Sequence, residues 1–361
     1  MALAAEQTPW WTWVSPAVAW AILLVAPFTG VGGLVAAAAG VALIATVFAA
    51  VHHAEVVAHR TGEPFGTLVL AVAITVIEVA LIVSVMISAP AEKAGLARDT
   101  VFAAVMIVMN GIVGLCLLSG GMRHHEQGFQ LHGASAALAV LAALTVLTLV
   151  VPNVVATAAG PMFSTPQLVF AGIVSLALYG SFIFVQTVRH RDYFLPLEAD
   201  DEDTHASLPS NRMAATSAAL LLVALVAVVG LAKSLTPTVE AGISWLGVPK
   251  AVVGIVIAGV VLLPECLAAL RAAQANRLQT SLNLALGSVL AAIGLTIPTV
   301  ALVSIVIGQP LVLGLDEKDQ VLLVLTLILS VITLGTGRTT VLQGIVHLVV
   351  FAVFLFFAVA P

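Results

Sequence analysis

Two glutamates, Glu78 and Glu265, stand inside long apolar runs, and their chemistry there needs an explanation. The other sixteen of the eighteen acidic residues lie in polar stretches or close to the ends of apolar runs. A carboxylate that faced lipid at the centre of a bilayer would cost about 2.5 to 3.5 kcal/mol or more, so both side chains must face protein or a water-filled cavity. A buried acid can be purely structural, protonated and hydrogen-bonded to a neighbouring helix. A pair of such acids favours an ion or proton path.

The residues next to these acids offer oxygen ligands. Thr75 precedes Glu78 by about one helical turn, so its hydroxyl shares a helical face with the carboxylate. Pro264, directly before Glu265, has no backbone N–H and would free carbonyl oxygens in a helix. Carboxylate, hydroxyl and carbonyl oxygens are the ligands that hard cations such as Ca²⁺ prefer. We expect a transported cation, Ca²⁺ or Na⁺/K⁺, and no resident cofactor.

The apolar segment that follows each acid carries an asparagine and, four residues later, a glycine: Asn110 with Gly114, and Asn283 with Gly287. The glycines are typical of close helix packing, whereas the amides and Ser288 favour additional ion ligands.

A second alignment of the two halves matches Gly114-Leu115 with Gly294-Leu295. It shifts Asn110 by seven residues, which is about two helical turns. The helical face is the same in both registers, but the depth in the membrane differs.

A histidine-dependent membrane enzyme is the remote alternative. His52-His53-Ala54-Glu55 and His124-His125-Glu126 lie near the predicted ends of spans, where a di-iron oxygenase would place its ligands. Such an enzyme needs many more histidines at short, repeated spacings, so we interpret these as interfacial residues in solvated loops.

The composition is that of a membrane protein, with 61% hydrophobic and 9% charged residues. A helix crosses the hydrocarbon core in about 20 residues. The predicted spans are 10–28, 30–51, 66–89, 100–121, 132–155, 166–188, 213–235, 248–271, 280–307, 319–336 and 339–360. Cys116 and Cys266 both fall in spans, which argues against a disulfide framework.

Eleven spans with the N-terminus in the cytoplasm leave more basic residues inside than outside, as expected for a multi-pass protein of a bacterial inner membrane. The inner set is Arg60, Arg123, Arg189, Arg191, Arg212, Arg271, Arg277 and Arg338, and the outer set is Lys93, Arg98, Lys233, Lys250 and Lys318. We expect partners to be inorganic cations, protons and lipid, with no nucleic acid, and association into a homo-oligomer stays open.

The chain divides into an N-terminal helix in 1–29, a five-helix repeat in 30–189, an acidic cytoplasmic linker in 190–212 and a second five-helix repeat in 213–361. Because five crossings reverse direction, the second repeat must be inverted relative to the first, as in many secondary transporters. The linker contains the acidic run Glu198, Asp200, Asp201, Glu202 and Asp203. The run is either a solvated connection or a patch that attracts cations.

Three motifs resemble the calcium/cation antiporter superfamily, and within it the ChaA-like branch of calcium/proton antiporters. They are Gly62-Glu63-Pro64-Phe65-Gly66 leading to Thr75-Val76-Ile77-Glu78, then Leu263-Pro264-Glu265 through Asn276-Arg277 to Gly287-Ser288, and Gly335-Thr336-Gly337-Arg338 before the last span. The resemblance covers the chain from about His52 to Pro361.

The resemblance implies an all-α, sodium/calcium exchanger-like fold in which Glu78 and Glu265 are the two central acids and bind the cation and protons alternately. It places Asn283, Gly287 and Ser288 on the helix beside the second acid, and gives Glu55 and Glu240 lower weight as acids found just before each acid-bearing helix. A Na⁺ or K⁺/proton antiporter is the alternative within the same branch.

Overall fold

The computed structural model describes residues 9–29, 33–62, 65–88, 94–155, 160–195, 209–245, 247, 249 and 251–360. The acidic run Glu198 to Asp203 lies outside the described residues.

Eleven helical segments follow one another in the described residues and match the predicted spans one for one. They are α1 (Trp11–Thr29), α2 (Gly33–Thr61), α3 (Phe65–Ser88), α4 (Leu96–His124), α5 (Leu131–Asn153), α6 (Thr165–Arg189), α7 (Asn211–Trp245), α8 (Ala251–Gln274), α9 (Leu278–Ile307), α10 (Glu317–Leu334) and α11 (Val341–Val359). Within the described residues, eight of these segments are long and apolar enough to cross a membrane. The predicted helical membrane fold is confirmed.

Two helices extend well past the ends predicted from hydrophobicity. Helix α2 continues from the predicted end at 51 to Thr61, and α7 continues from 235 to Trp245. Their polar residues are tolerated because neighbouring helices satisfy them: buried His53 lies 3.2 Å from the Thr12 carbonyl oxygen, and Arg60 donates to Asn211 at 2.9 Å. The interpretation of His53 as an interfacial loop residue is therefore wrong.

One compact unit contains α1, α2, most of α3 and α7. Its core joins alanines of α1 and α2 to Ala227, Leu231 and Leu235 of α7. The end of α2 meets the start of α7 through Arg60 and Asn211, and the first part of α2 packs with Leu231 and Leu235 further along α7, so the two helices run antiparallel. As the first helices of the two predicted repeats, they have the opposite directions that an inverted repeat requires.

The second unit contains α4 to α6 and α8 to α11. Helix α4 is the most completely buried of its spans. Gly114 allows α11 to approach, since a Cβ there would lie 3.1 Å from the His347 Cβ. Gly344 of α11 in turn lies against the backbone of Leu118. These small residues let α4 and α11 pack with their backbones close together.

A related contact joins α6 to α9, where Gly294 lies against Tyr179. Helices α4 and α9 are both third in their predicted repeats, and α6 and α11 are both fifth, so the two contacts correspond. The correspondence favours the register that matches Gly114 with Gly294. In that register, Leu290 is the counterpart of Asn110.

One end of the second unit, here called the linker end, is formed by a short β-ribbon and a 3₁₀ turn. The ribbon pairs β1 (Glu126–Gly128) antiparallel with β2 (Arg338–Thr340), and the turn spans Arg191–Phe194. The sequence did not predict these strands. The arginines at or next to this end are Arg123, Arg189, Arg191, Arg271, Arg277 and Arg338, as the predicted loop sides require.

Replacing Gly344 with alanine tests the α4–α11 contact. The new Cβ would meet the Leu118 backbone, so the helices must separate, and we expect a loss of about 1 to 3 kcal/mol in stability. Thermal unfolding in detergent measures the effect. The matched control is Gly180→Ala in α6, where a Cβ meets nothing within 4 Å and alanine should be neutral or stabilising. Equal midpoints for Gly344→Ala and the wild type would contradict the close packing.

Candidate functional site

Glu265 lies on the buried face of α8. Ala258, Leu262 and Ala269, which share this face at helical spacing, are buried, whereas Leu263 on another side is exposed. The Glu265 side chain itself is only 6% exposed. Helix α8 packs against α4 and α9 within the second unit. The expectation that this acid faces protein is confirmed.

Glu78 likewise lies on the buried face of its helix, α3, most of which belongs to the first unit. Thr75 and Glu78 are 5% and 4% exposed, and Ile82, one turn further on, is fully buried. Val72 and Val76 on the other sides of the helix are exposed. Thr75 and Glu78 therefore share an inward face, as their spacing predicts.

Pro264 lies inside α8, which continues through it to Gln274. Because proline has no N–H, it cannot donate the helical hydrogen bond to the carbonyl oxygen of Val260, four residues earlier. That carbonyl lies about one turn before Glu265. The observed helix thus keeps the predicted feature, a backbone oxygen that lacks its usual helical donor shortly before the acid.

Asn110 lies in a π-helical turn of α4, Ile107–Ile112, and is fully buried. Its Nδ2 donates to the Thr326 hydroxyl of α10 at 2.9 Å, and its Oδ1 lies 3.2 Å from Nδ1 of His347 in α11. The other nitrogen of that ring, Nε2, lies 3.1 Å from the Thr333 hydroxyl. Single π turns inside α-helices occur often at functional sites.

Asn110 also lies level with Glu265, because α4 and α8 run parallel and in register. Near their starts, Gly254 lies against the backbone of Asp99, and near their ends Gln274 donates to Ser119 at 2.9 Å. Members of each pair are 155 positions apart, and the same separation relates Asn110 to Glu265. The structure therefore places the π turn of α4 at the depth of the second acid.

The predicted residues of α9 fall into two groups. Asn283 is near the linker end, where its Nδ2 donates to the Phe194 carbonyl at 2.6 Å and its Oδ1 accepts from Gln279 at 2.9 Å. Gly287 borders open space, since a Cβ there would meet nothing within 4 Å. The Ser288 hydroxyl is buried with no hydrogen-bond partner among the described residues. Ser288 therefore keeps a hydroxyl that no described side chain or backbone group satisfies, whereas Asn283 holds the start of the linker.

The start of the linker is fixed by aromatic contacts that the sequence did not reveal. The Tyr193 ring stacks on His190 with centroids 4.7 Å apart and lies 5.1 Å from His132 of α5. Phe194 packs edge-on against Phe182 of α6 at 5.8 Å. The acidic run begins only a few residues further along the chain. The described chain before the run, up to Leu195, is therefore held against α5, α6 and α9.

The acids of lower weight lie near the ends of the first helices of each repeat. Glu55 is exposed in the last turns of α2, and Glu240 is partly exposed in the last turns of α7. Both positions are helical because α2 and α7 continue past their predicted ends. Neither lies in the apolar middle of a span.

The histidines of the enzyme alternative are spread over separate structural contacts. His124 lies 2.9 Å from the Gln274 carbonyl oxygen at the linker end, and His53 belongs to the first unit. Across the described part of the chain, no group of three His, Cys, Asp or Glu side chains is placed to hold a metal ion.

Comparisons with known proteins agree on one family. The family model described as "Sodium/calcium exchanger protein" matches residues 29–188 and 216–360. A putative ionic transporter of Sinorhizobium fredii, y4hA, is 52% identical over 98% of this chain and 97% of its own length. The sodium-potassium/proton antiporter ChaA of Escherichia coli is 36% identical over 87% and 86%.

Among solved structures, native YfkE aligns with a TM-score of 0.76 at 16% identity, covering 97% of this chain and 100% of that chain. A second structure of YfkE describes it as a Ca²⁺/H⁺ antiporter. At this identity the likeness shows the fold, while the family model and ChaA supply the family. The chain therefore belongs to the sodium/calcium exchanger family of membrane cation antiporters.

Proposed function

We propose that this protein exchanges Ca²⁺ for protons across the bacterial inner membrane at a site whose two central acids are Glu78 and Glu265. The observation that carries the proposal is that each predicted repeat buries one glutamate on the inward face of a membrane span. Family membership supports cation exchange in general. The assignment to these two residues and to Ca²⁺ is our inference.

Alternate neutralisation of the two carboxylates couples the fluxes. A carboxylate removed from water must be neutralised, by a proton or by a cation. When the site is empty of cation, each acid holds a proton, and an arriving cation displaces it. The site is neutral both with two protons and with a bound divalent cation. In either state it can be closed off from water while access changes from one side of the membrane to the other. With bare carboxylates, the same closure would bury uncompensated charge.

Neighbouring oxygens complete the proposed coordination. The Ser288 hydroxyl and the Val260 carbonyl are available on α9 and α8, and Thr75 shares the inward face of Glu78. Ca²⁺ takes six to eight oxygen ligands at about 2.3 to 2.6 Å, so two carboxylates need such additional oxygens or waters. Asn110 supports the site from the neighbouring helix at the depth of Glu265.

Ca²⁺ is the first candidate because two carboxylates neutralise one divalent ion, which predicts release of about two protons for each ion bound. The fold shared with a Ca²⁺/H⁺ antiporter is consistent with this. Na⁺ or K⁺ is the second candidate, since the relative at 36% identity is a sodium-potassium/proton antiporter. A monovalent ion needs only one carboxylate, and the other acid would stay protonated.

The acidic run Glu198 to Asp203 is proposed to raise the local cation concentration at the cytoplasmic mouth. Exposed charges act over about 10 Å at 0.1 M salt, so its effect should fade as the ionic strength rises. Tyr193 and Phe194, a few residues before this run, contact α5, α6 and α9 on the side where the proposed mouth would lie.

Glu78→Gln and Glu265→Gln should each abolish exchange in proteoliposomes while the protein remains folded. The amide is nearly isosteric but can neither carry charge nor take up a proton. Dissipation of a preset pH gradient after cation addition measures the activity. Glu317→Gln, at an exposed glutamate at the start of α10, is the matched control and should behave as the wild type. Wild-type exchange by either central variant would remove that acid from the site.

Ion selectivity is tested by reversal potentials in vesicles with a set pH gradient and membrane potential, using Ca²⁺, Na⁺ and K⁺ in turn. We expect Ca²⁺ flux coupled to at least two protons and inhibited at low pH, when both acids remain protonated. Na⁺ or K⁺ flux with no Ca²⁺ flux would overturn the calcium assignment in favour of a monovalent antiporter. Ca²⁺ flux that does not depend on the pH gradient would overturn the proposed coupling to protons.

A further inference from the structure

His347 lies about two turns into the last helix, α11, and its imidazole faces the interior of the second unit. It is 0% exposed, and both of its ring nitrogens lie within hydrogen-bond distance of side chains from other helices. Its side-chain partners are Asn110 of α4 and Thr333 of α10, and the backbone of Met109, in the π turn of α4, is a further hydrogen-bond partner. Separation of the helices would leave these buried polar groups without partners, at a cost of about 1 to 3 kcal/mol for each group. The contacts therefore hold α4, α10 and α11 together at one level.

The contacts assign the tautomer of the ring. Asn110 donates through Nδ2 to Thr326, so its Oδ1 faces His347 and can only accept. The proton of the imidazole is therefore on Nδ1. In the neutral ring Nε2 is an acceptor, and the Thr333 hydroxyl donates to it at 3.1 Å. Every polar atom of the ring is thus satisfied without a charge.

The ring is aimed at the least regular part of α4. The π turn Ile107–Ile112 breaks the regular α-helical hydrogen bonding and turns Asn110 toward α10 and α11. The close contact of Gly114 with α11 holds the His347 backbone against the end of this turn. An apolar residue at position 347 would leave the Asn110 oxygen facing hydrocarbon side chains.

We propose that His347 is a positioning residue for cation binding: it fixes Asn110 and the π turn of α4 at the depth of Glu265. The inference rests on the proposed role of Glu265, because α4 runs parallel to α8 and presents this turn level with that acid. His347 acts through hydrogen bonds alone and does not exchange its own proton during transport.

Three variants test this role in proteoliposomes, with Ca²⁺ as the probe, or Na⁺ if only the monovalent ion is transported. His347→Leu removes the hydrogen bonds to Asn110 and Thr333 and the one to the Met109 backbone. It should raise the half-saturating cation concentration about tenfold or more, since each neutral hydrogen bond contributes about 1 kcal/mol. His347→Gln supplies an N–H donor and an oxygen acceptor in their place. It should restore the value to within about threefold, with the pH profile of exchange unchanged.

Thr333→Val keeps the shape of the side chain and removes only the donor to Nε2, so we expect a rise of about threefold. Its matched control is Ser330→Ala, a fully buried hydroxyl on the same helix that bonds back to the Thr326 carbonyl. If His347→Leu does not fold, the half-saturating cation concentration of Thr333→Val, compared with that of Ser330→Ala, tests the inference.

The inference would be overturned if the half-saturating cation concentration were unchanged in both His347→Leu and Thr333→Val. A His347→Gln protein as defective as His347→Leu with a shifted pH profile would also overturn it, because the imidazole proton itself would then be needed. Glu265→Gln is measured alongside. If it exchanges normally, the proposed site fails, whereas an inactive Glu265→Gln beside a normal His347→Leu refutes only the positioning role.

Discussion

Hydrocarbon does not solvate a carboxylate, and this constraint governs how the spans of this protein are oriented. Glu78 and Glu265 are tolerated in apolar helices only because each lies on an inward face, with exposed valine or leucine on the other sides. In the proposed exchange, the same constraint makes charge compensation part of transport. A proton and a cation are interchangeable neutralising partners for a buried acid, and exchange of one for the other follows from that equivalence.

Helix α4 connects the second acid to the rest of its unit. It runs parallel to the Glu265 helix, is covered on another side by α11 through glycine contacts, and carries a π turn at the depth of the acid. The turn directs the buried side-chain amide of Asn110 toward neighbouring helices, and Thr326 and His347 provide its hydrogen-bond partners. The corresponding contact in the other half, Gly294 with Tyr179, places the phenol of a tyrosine where α11 has the imidazole of His347. The two repeats are therefore alike in packing and different in polar chemistry.

The number of helices and the inward direction of both acids were predictable because length and hydrophobicity in lipid leave few alternatives. Helix ends were not, since His53 and Arg60 are satisfied by residues distant in sequence. The π turn has no signal of its own, and a lone histidine in an apolar run such as His347 is recognised only once Asn110 and Thr333 are seen beside it. The asparagine pairing was a weak guide: Asn110 enters the core of the second unit, whereas Asn283 anchors Phe194 near its surface.

The most direct test of the account is to count the protons released when the cation binds to purified protein in weakly buffered detergent solution. If the same carboxylates hold either a proton or the cation, the wild type releases about two protons for each Ca²⁺ bound, and both Glu78→Gln and Glu265→Gln release fewer. Cation binding without proton release, or release by either variant equal to that of the wild type, would contradict the account.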